Sequence, residues 1–171
     1  MKMNKAYKFR LHPTSVQREM FAKTFGCTRF VFNRYLGERI GAYETDGKTM
    51  NYYDCAKDLT GLKKETEYEW LKEVDSIALQ SALKNLDVAY QNFFRRVKNG
   101  ENPGFPKFKS KRNNSRSYTT KTVNGNIRIL DGCITLPKIG AVKMKQHREI
   151  HEHYGKSNAI GEILRLYTVR V

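Results

Sequence analysis

The sequence predicts an α+β protein in which a helical block is inserted between a first β-strand and a later small β-barrel or curled sheet. Three observations carry that expectation. Residues 14–99 repeat their apolar side chains at spacings of three and four, residues beyond Gly100 alternate between Gly-rich turns, and a strand-like run at Lys5–Leu11 has no sheet nearby in sequence. The lone strand is therefore assigned to the later sheet, where its backbone edge finds a partner.

In Lys5–Leu11, Tyr7, Phe9 and Leu11 share one face, and Lys8 and Arg10 the other. Pro13 ends the strand, and Thr14 with Gln17 form a capping box that starts a helix expected to finish near Gly26. A second helix is expected from about Thr28 to Tyr43, with Phe32, Leu36, Ile40 and Tyr43 in phase, before a turn at Asp46 and Gly47. Joined through Gly26, the pair resembles a helix-turn-helix. Tyr52 to about Lys64 reads as a shorter helix, and Glu65–Asp75 as an acidic connector around Trp70. The strongest periodicity follows: Leu79, Leu83, Leu86, Tyr90, Phe93 and Val97 form a core-facing stripe, with Asp75 or Ser76 as cap and Gly100 as stop. Gln80, Lys84, Asp87, Gln91 and Arg95 fall on its polar flank, free to face a partner. Ser117–Thr122, Asn126–Leu130, Cys133–Leu136 and Ala141–Lys145 then read as short strands, separated by Asn124–Gly125, Asp131–Gly132 and Pro137–Gly140.

Charge narrows the function. Lys plus Arg number 32 against 17 Asp plus Glu, a formal charge of +15 over 171 residues, which points to a polyanionic partner. The charge is clustered: acids gather at Asp54, Asp58, Glu65, Glu67, Glu69, Glu73 and Asp75, whereas Pro103–Asn126 has none. Within that stretch, PGFPKFKSKRNNSRSYTTK interleaves Lys107, Lys109, Lys111, Arg112, Arg116 and Lys121 with Phe105, Phe108 and Tyr118. Cations release counterions from phosphates and aromatic faces stack on bases, so this composition points to nucleic acid. Tyr118 is a candidate stacking residue, while Phe105 and Phe108, flanking Pro106, favour core packing over stacking.

No apolar run approaches a membrane span and the N-terminus lacks a signal-peptide core, so a soluble cytoplasmic protein is expected. Cys27, Cys55 and Cys133 are odd in number and far apart, which suits reduced thiols rather than disulfides or a Cys-x-x-Cys site. His147 and His151 are four apart with His153 close by, yet no cysteine or fixed carboxylate joins them, and no metal site is expected. Neither a nucleophile elbow nor a Gly-rich phosphate loop is present.

Five ordered blocks, NKAYKFRLHPT, GCTRFVFNRYLGERIGAY, IALQSALKNLDVAYQNFFRRVKNG, PGFPKFKSKR and ITLPKIGAVKMKQHREI, span Asn4–Ile150. Together they resemble the N-terminal half of the TnpB or OrfB family, transposon-encoded RNA-guided DNA nucleases related to miniature type V CRISPR effectors. The resemblance implies a wedge-like β-barrel at 1–12 and 101–171 and an inserted helical recognition domain at 13–100. It also implies prokaryotic, nucleoid-associated residence, with guide RNA from the transposon end and double-stranded DNA as partners and no membrane. Family members continue into a ribonuclease-H-like domain whose Asp, Glu and Asp bind divalent metal, interrupted by a zinc ribbon. Asp46, Asp54, Asp58, Asp75, Asp87 and Asp131 lie in the helical and barrel parts, so no catalytic residue is expected among them and no cofactor in this chain. The tail KSNAIGEILRLYTVRV departs from the paired strands that close the family's barrel.

In the family, recognition helices and barrel together read a short duplex motif and grip the guide RNA. Tyr52, Gln80 and Asn124 match the motif-reading positions, and their amides and ring suit base edges and sugars. Ala56, Ser76 and Val123 sit where the family can use polar or basic side chains, which points to a different motif or weaker binding. Lys5, Lys8, Arg10, Arg29, Arg34, Lys107, Lys109, Lys111, Arg112 and Arg116 are the candidates for RNA or phosphate contact, with Arg29 and Arg34 expected near a helix N-terminus after Gly26. The expected function is a nucleic-acid-binding fragment without its own catalytic centre. The competing readings are half of a split RNA-guided endonuclease and a stand-alone helix-turn-helix DNA regulator.

Overall fold

Thr14 starts the element around which the others assemble. In the computed structural model, which describes residues 7–112, 116–147 and the backbone of 164–167, helix α1 runs unbroken over Ser15–Asp46. The expected capping box is present: Gln17 N–H donates to Thr14 Oγ1 at 3.3 Å, and Thr14 N–H donates to Gln17 Oε1 at 3.0 Å. The same glutamine donates through Nε2 to the Ala141 carbonyl at 2.7 Å, fastening the start of the helix to the later sheet.

The break expected at Gly26 does not occur. An interior glycine costs a helix only about 1 kcal/mol relative to alanine, a weak preference that tertiary packing overrides. Here the packing is strong on both sides of the glycine. Phe21 and Phe25 before it are buried against the sheet, while Cys27, Val31, Phe32, Tyr35 and Leu36 after it are buried in the helical core. One rigid helix satisfies both cores, and a helix-turn-helix with its turn at Gly26 is replaced by a continuous rod.

Asn51 and Asp54 form a second capping box at the start of α2 (Tyr52–Leu62), which buries Cys55, Leu59 and Leu62. The acidic connector becomes a 3-10 helix, Thr66–Glu73, that inserts Leu71 into the same core. Helix α3 (Ser76–Lys98) is capped by Asp75, whose Oδ1 accepts from Ile77 N–H at 2.9 Å. Its stripe is buried only at the N-terminal end. Leu79, Leu83 and Leu86 are core, whereas Phe93 is half-buried and Val97 is 52 % exposed, because α1 and α2 do not cover the last turns.

Beyond α3 come β2 (Ser117–Thr120), β3 (Arg128–Leu130), β4 (Cys133–Leu136), β5 (Gly140–Lys145) and β6 (Leu164–Tyr167). The first strand, β1 (Arg10–His12), pairs antiparallel with β5, Arg10 opposite Lys145 and His12 opposite Lys143, so segments far apart in sequence meet in one sheet. Asp131 and Gly132, both at positive φ, make the tight turn that joins β3 to β4. The strands do not close into a barrel. Among the described residues they form an open four-stranded sheet, β1-β5-β4-β3, and a separate β2-β6 ribbon. β2 is drawn to the helices instead: Tyr118 packs on Phe21 and Phe25, and the Thr120 hydroxyl donates to Asp75.

All three cysteines are free thiols, and burial pushes those of Cys27 and Cys55 up to about 11. Among the described residues no helix is long and apolar enough to cross a membrane.

Nothing lies within 4 Å of where a Cβ on Gly26 would sit, so Gly26→Ala is accommodated in place. Urea denaturation is expected to show the variant more stable by up to about 1 kcal/mol, the helix-propensity difference. A loss of stability would mean that a turn at Gly26 is required.

Candidate nucleic-acid interface

The start of α2 faces α3 from Ile77 to Gln91, and a cleft of about 550 Å³ opens there. Asn51, Tyr52 and Tyr53 line it from α2, and Ile77, Gln80, Ser81, Lys84, Asp87 and Gln91 from α3. Lys121 enters from the residue after β2. Two of the three residues expected to read sequence, Tyr52 and Gln80, thus share one cleft, 28 positions apart by number. Four of the five residues on the polar flank of α3 line it as well; Arg95 is the exception.

Asp87 organises the floor. Its Oδ1 lies 3.6 Å from Arg39 Nη2 of α1, and its Oδ2 accepts from Lys84 Nζ at 3.3 Å and Gln91 Nε2 at 3.0 Å. Lys84 Nζ also sits 5.3 Å from the centroid of the Tyr52 ring. Gln80 is exposed and makes no side-chain hydrogen bond with the described residues, so its amide is available to a base edge. Asn124 does not line the cleft. It occupies a left-handed turn position, φ 51°, between β2 and β3, a conformation asparagine tolerates better than most side chains.

The structure sorts the candidate cations. Lys8 and Arg10 are exposed on the outer face of the sheet, where pairing with β5 sets Lys145 opposite Arg10. Lys143 and Lys145 extend that basic face, a feature visible only once the register is known. Lys107, Lys111, Arg112 and Arg116 are exposed, as a phosphate-binding role requires. Lys109 is not. Its Nζ lies 4.0 Å from the centroid of the buried Phe32 ring, and burial pushes the ammonium below the ordinary lysine range. Its backbone is clamped as well: Asn33 accepts the Lys109 N–H at 2.7 Å and donates to the Lys109 carbonyl at 2.8 Å.

Arg29 and Arg34 lie in the middle of α1, so the helix N-terminus expected to present them does not exist. Arg34 is engaged inside the molecule, with Nε 2.9 Å from Glu38 and Nη1 donating to the Tyr68 hydroxyl at 3.3 Å. Tyr118, expected to stack on nucleic acid, is buried between Phe21 and Phe25, because its position on β2 faces inward. Phe105 and Phe108, expected in the core, are 45 % and 59 % exposed. His147 is exposed and edge-on to Phe9, and the described residues include no group of three side chains able to hold a metal. Lys5, His151 and His153 lie outside the described residues.

Residues 1–48 match the OrfB/IS605 family model described as a helix-turn-helix domain. Over 153 residues the chain is 35 % identical to "Putative RNA-guided DNA endonuclease InsQ" of Escherichia coli (strain K12), a match covering 88 % of this chain and 36 % of that protein. The chain belongs to the TnpB/OrfB family. A second relative, "Putative RNA-guided DNA endonuclease" of Streptomyces pristinaespiralis, is 34 % identical over 119 residues, covering 68 % of this chain and 28 % of its own length. The chain therefore spans about a third of these two relatives. "Virulence protein VsdF" of Salmonella dublin is 37 % identical over 116 residues, covering 64 % of this chain and 95 % of that protein. The described part of the OrfB-type match, 7–48, forms β1 and the single helix α1 rather than two helices.

The sorting of cations is measurable. Replacing Lys107, Lys111 and Arg112 together by Ala is expected to reduce the slope of log affinity against log salt for duplex DNA by up to about 2 to 3, roughly 0.9 for each phosphate no longer neutralised. Lys109→Met should leave that slope unchanged. Equal slope changes per residue, Lys109 included, would contradict the placement of Lys109 against Phe32.

Proposed function

We propose that this TnpB/OrfB-family chain binds guide RNA and the duplex beside a target, reading a short motif without cutting either strand itself. The observation that carries the reading is the convergence of Tyr52 and Gln80 on one cleft whose rim also holds Lys84 and Lys121. Amides on a rigid helix suit base edges, and cations beside them suit the flanking phosphates. Residues 13–100 act in this reading as the recognition unit, and 1–12 with 101–171 as the wedge that grips RNA.

Electrostatics support a polyanion. Arg10 stands directly opposite Lys145, although like charges across strands oppose folding. A bound phosphate backbone turns that repulsion into attraction. Binding without cutting is supported by how the carboxylates are engaged: Asp54 and Asp75 cap helices, Asp58 accepts from the Tyr35 hydroxyl at 2.7 Å, and Asp87 holds Arg39 and Lys84. Two-metal hydrolysis needs carboxylates that converge on ions about 4 Å apart.

The test is selection from a library of short duplexes with a randomised segment, using the chain purified with the RNA it retains. Gln80→Ala is expected to cost about 1 to 3 kcal/mol on the enriched motif and almost nothing on scrambled duplexes, because base contacts specify where phosphate contacts only position. Lys107→Ala should weaken both duplexes alike. Equal proportional losses in the two variants would remove Gln80 as a reader.

A further inference from the structure

The last turns of α3 and the segment after it carry an aromatic cluster in which only Tyr90 packs against the helical core. The Phe105 ring meets Tyr90 at 5.6 Å and Phe93 at 5.2 Å, both edge-on, while Phe94 lies 5.2 Å from Phe93 and 6.3 Å from Tyr90. Four rings thus form one connected surface. Phe94 remains 59 % exposed and Phe105 45 %, with Val97 exposed one turn on. The backbone is built to place Phe105 there: Gly100 and Gly104, at φ 68° and 58°, reverse the chain after α3 and lay it back along the helix. Arg39 of α1 holds the cluster from behind, its guanidinium 4.4 Å from the centroid of the Tyr90 ring.

The rim of this surface is cationic. Arg96 reaches under Gly104, its Nη1 3.6 Å from where a Cβ would stand, and Lys98, one turn beyond Phe94, and Lys107, two residues beyond Phe105, are exposed. From Val88 to Arg112 the sole acid is Glu101, and it is engaged by Asn99 at 3.0 Å and Arg95 at 3.9 Å. Exposed ring faces beside positive charge complement a ligand with flat apolar faces and a negative backbone. A base pair in a duplex hides its faces in the stack, so the complementary ligand is single-stranded.

We propose that Phe94 and Phe105, backed by Tyr90 and Phe93, form a stacking site for unpaired bases of single-stranded nucleic acid, with Arg96, Lys98 and Lys107 on its phosphates. The proposal rests on the nucleic-acid reading above and adds to it a site outside the cleft. An acidic protein segment with apolar anchors is the competing occupant.

The experiment compares binding of the full 171-residue chain to a uridine RNA oligomer and to an abasic oligomer of the same length and charge, by fluorescence anisotropy. Wild type is expected to prefer the base-bearing oligomer roughly tenfold, in the range of base–aromatic stacking. Phe94→Leu and Phe105→Leu keep apolar bulk at exposed positions and remove the ring. Each should erase most of that preference while leaving thermal unfolding and the salt slope unchanged. A wild-type chain that binds both oligomers equally, or variants that keep the full preference, overturns the stacking site while nucleic-acid binding stands. A chain that binds neither oligomer nor duplex overturns both readings.

Discussion

One buried carboxylate joins the two halves of this molecule. Asp75 is 6 % exposed, and its two oxygens serve different parts: Oδ1 caps α3 through Ile77 N–H, and Oδ2 accepts from the Thr120 hydroxyl at the end of β2. Removing a carboxylate from water costs several kcal/mol, and these charge-assisted bonds are what offset the loss. The consequence reaches the cleft. Thr120 is followed by Lys121, so the bond that fixes the start of α3 also delivers a cation from the β region to the cleft lined by Gln80 and Lys84. Tyr118, two residues back on the same face of β2, packs on α1. Burial raises the pKa of its hydroxyl, and the nearby Asp75 charge adds to that rise.

α1 complements this joint. Its first half seals the sheet and its second half fills the helical core, so the sheet and the bundle share a beam rather than a hinge. Gln17 and Asn33 tie distant segments to the same helix, at Ala141 and Lys109. The basic segment is therefore anchored at Lys109, with Lys107, Lys111 and Arg112 projecting around the anchor. One lysine is given up to packing so that its neighbours are presented in a defined place.

Much of the fold was legible in sequence because the signals were local. The Thr14–Gln17 capping box, the Asp75 cap, the Asp131–Gly132 turn and the Cys133–Leu136 strand each depend on a few consecutive residues and appear where expected. The pairing of the first strand with the last part of the sheet also followed, since an isolated strand needs an edge. Expectations failed where distant packing decides. Gly26 looks like a stop until Phe21, Phe25 and Val31 are seen to be buried on both sides of it. Periodicity makes Phe93 and Val97 resemble Leu79, yet it cannot say where the covering helices end. Lys107 and Lys109 are equivalent by composition, and only the Phe32 ring separates them. The cleft was half legible: α3's polar flank was visible in the helical phase, whereas Lys121 arrives through Thr120, which no spacing rule connects to Asp75.

The most direct test of this joint is a double-mutant cycle on unfolding free energy with Asp75→Ala and Thr120→Val, the latter removing the hydroxyl at nearly constant shape. A shared buried bond predicts that the two losses are coupled by about 1 to 3 kcal/mol, the double variant being far less damaged than the sum. Additive losses, within about 0.5 kcal/mol, would show that Asp75 caps α3 and Thr120 packs in β2 independently, and that the two halves of the cleft are not held together here.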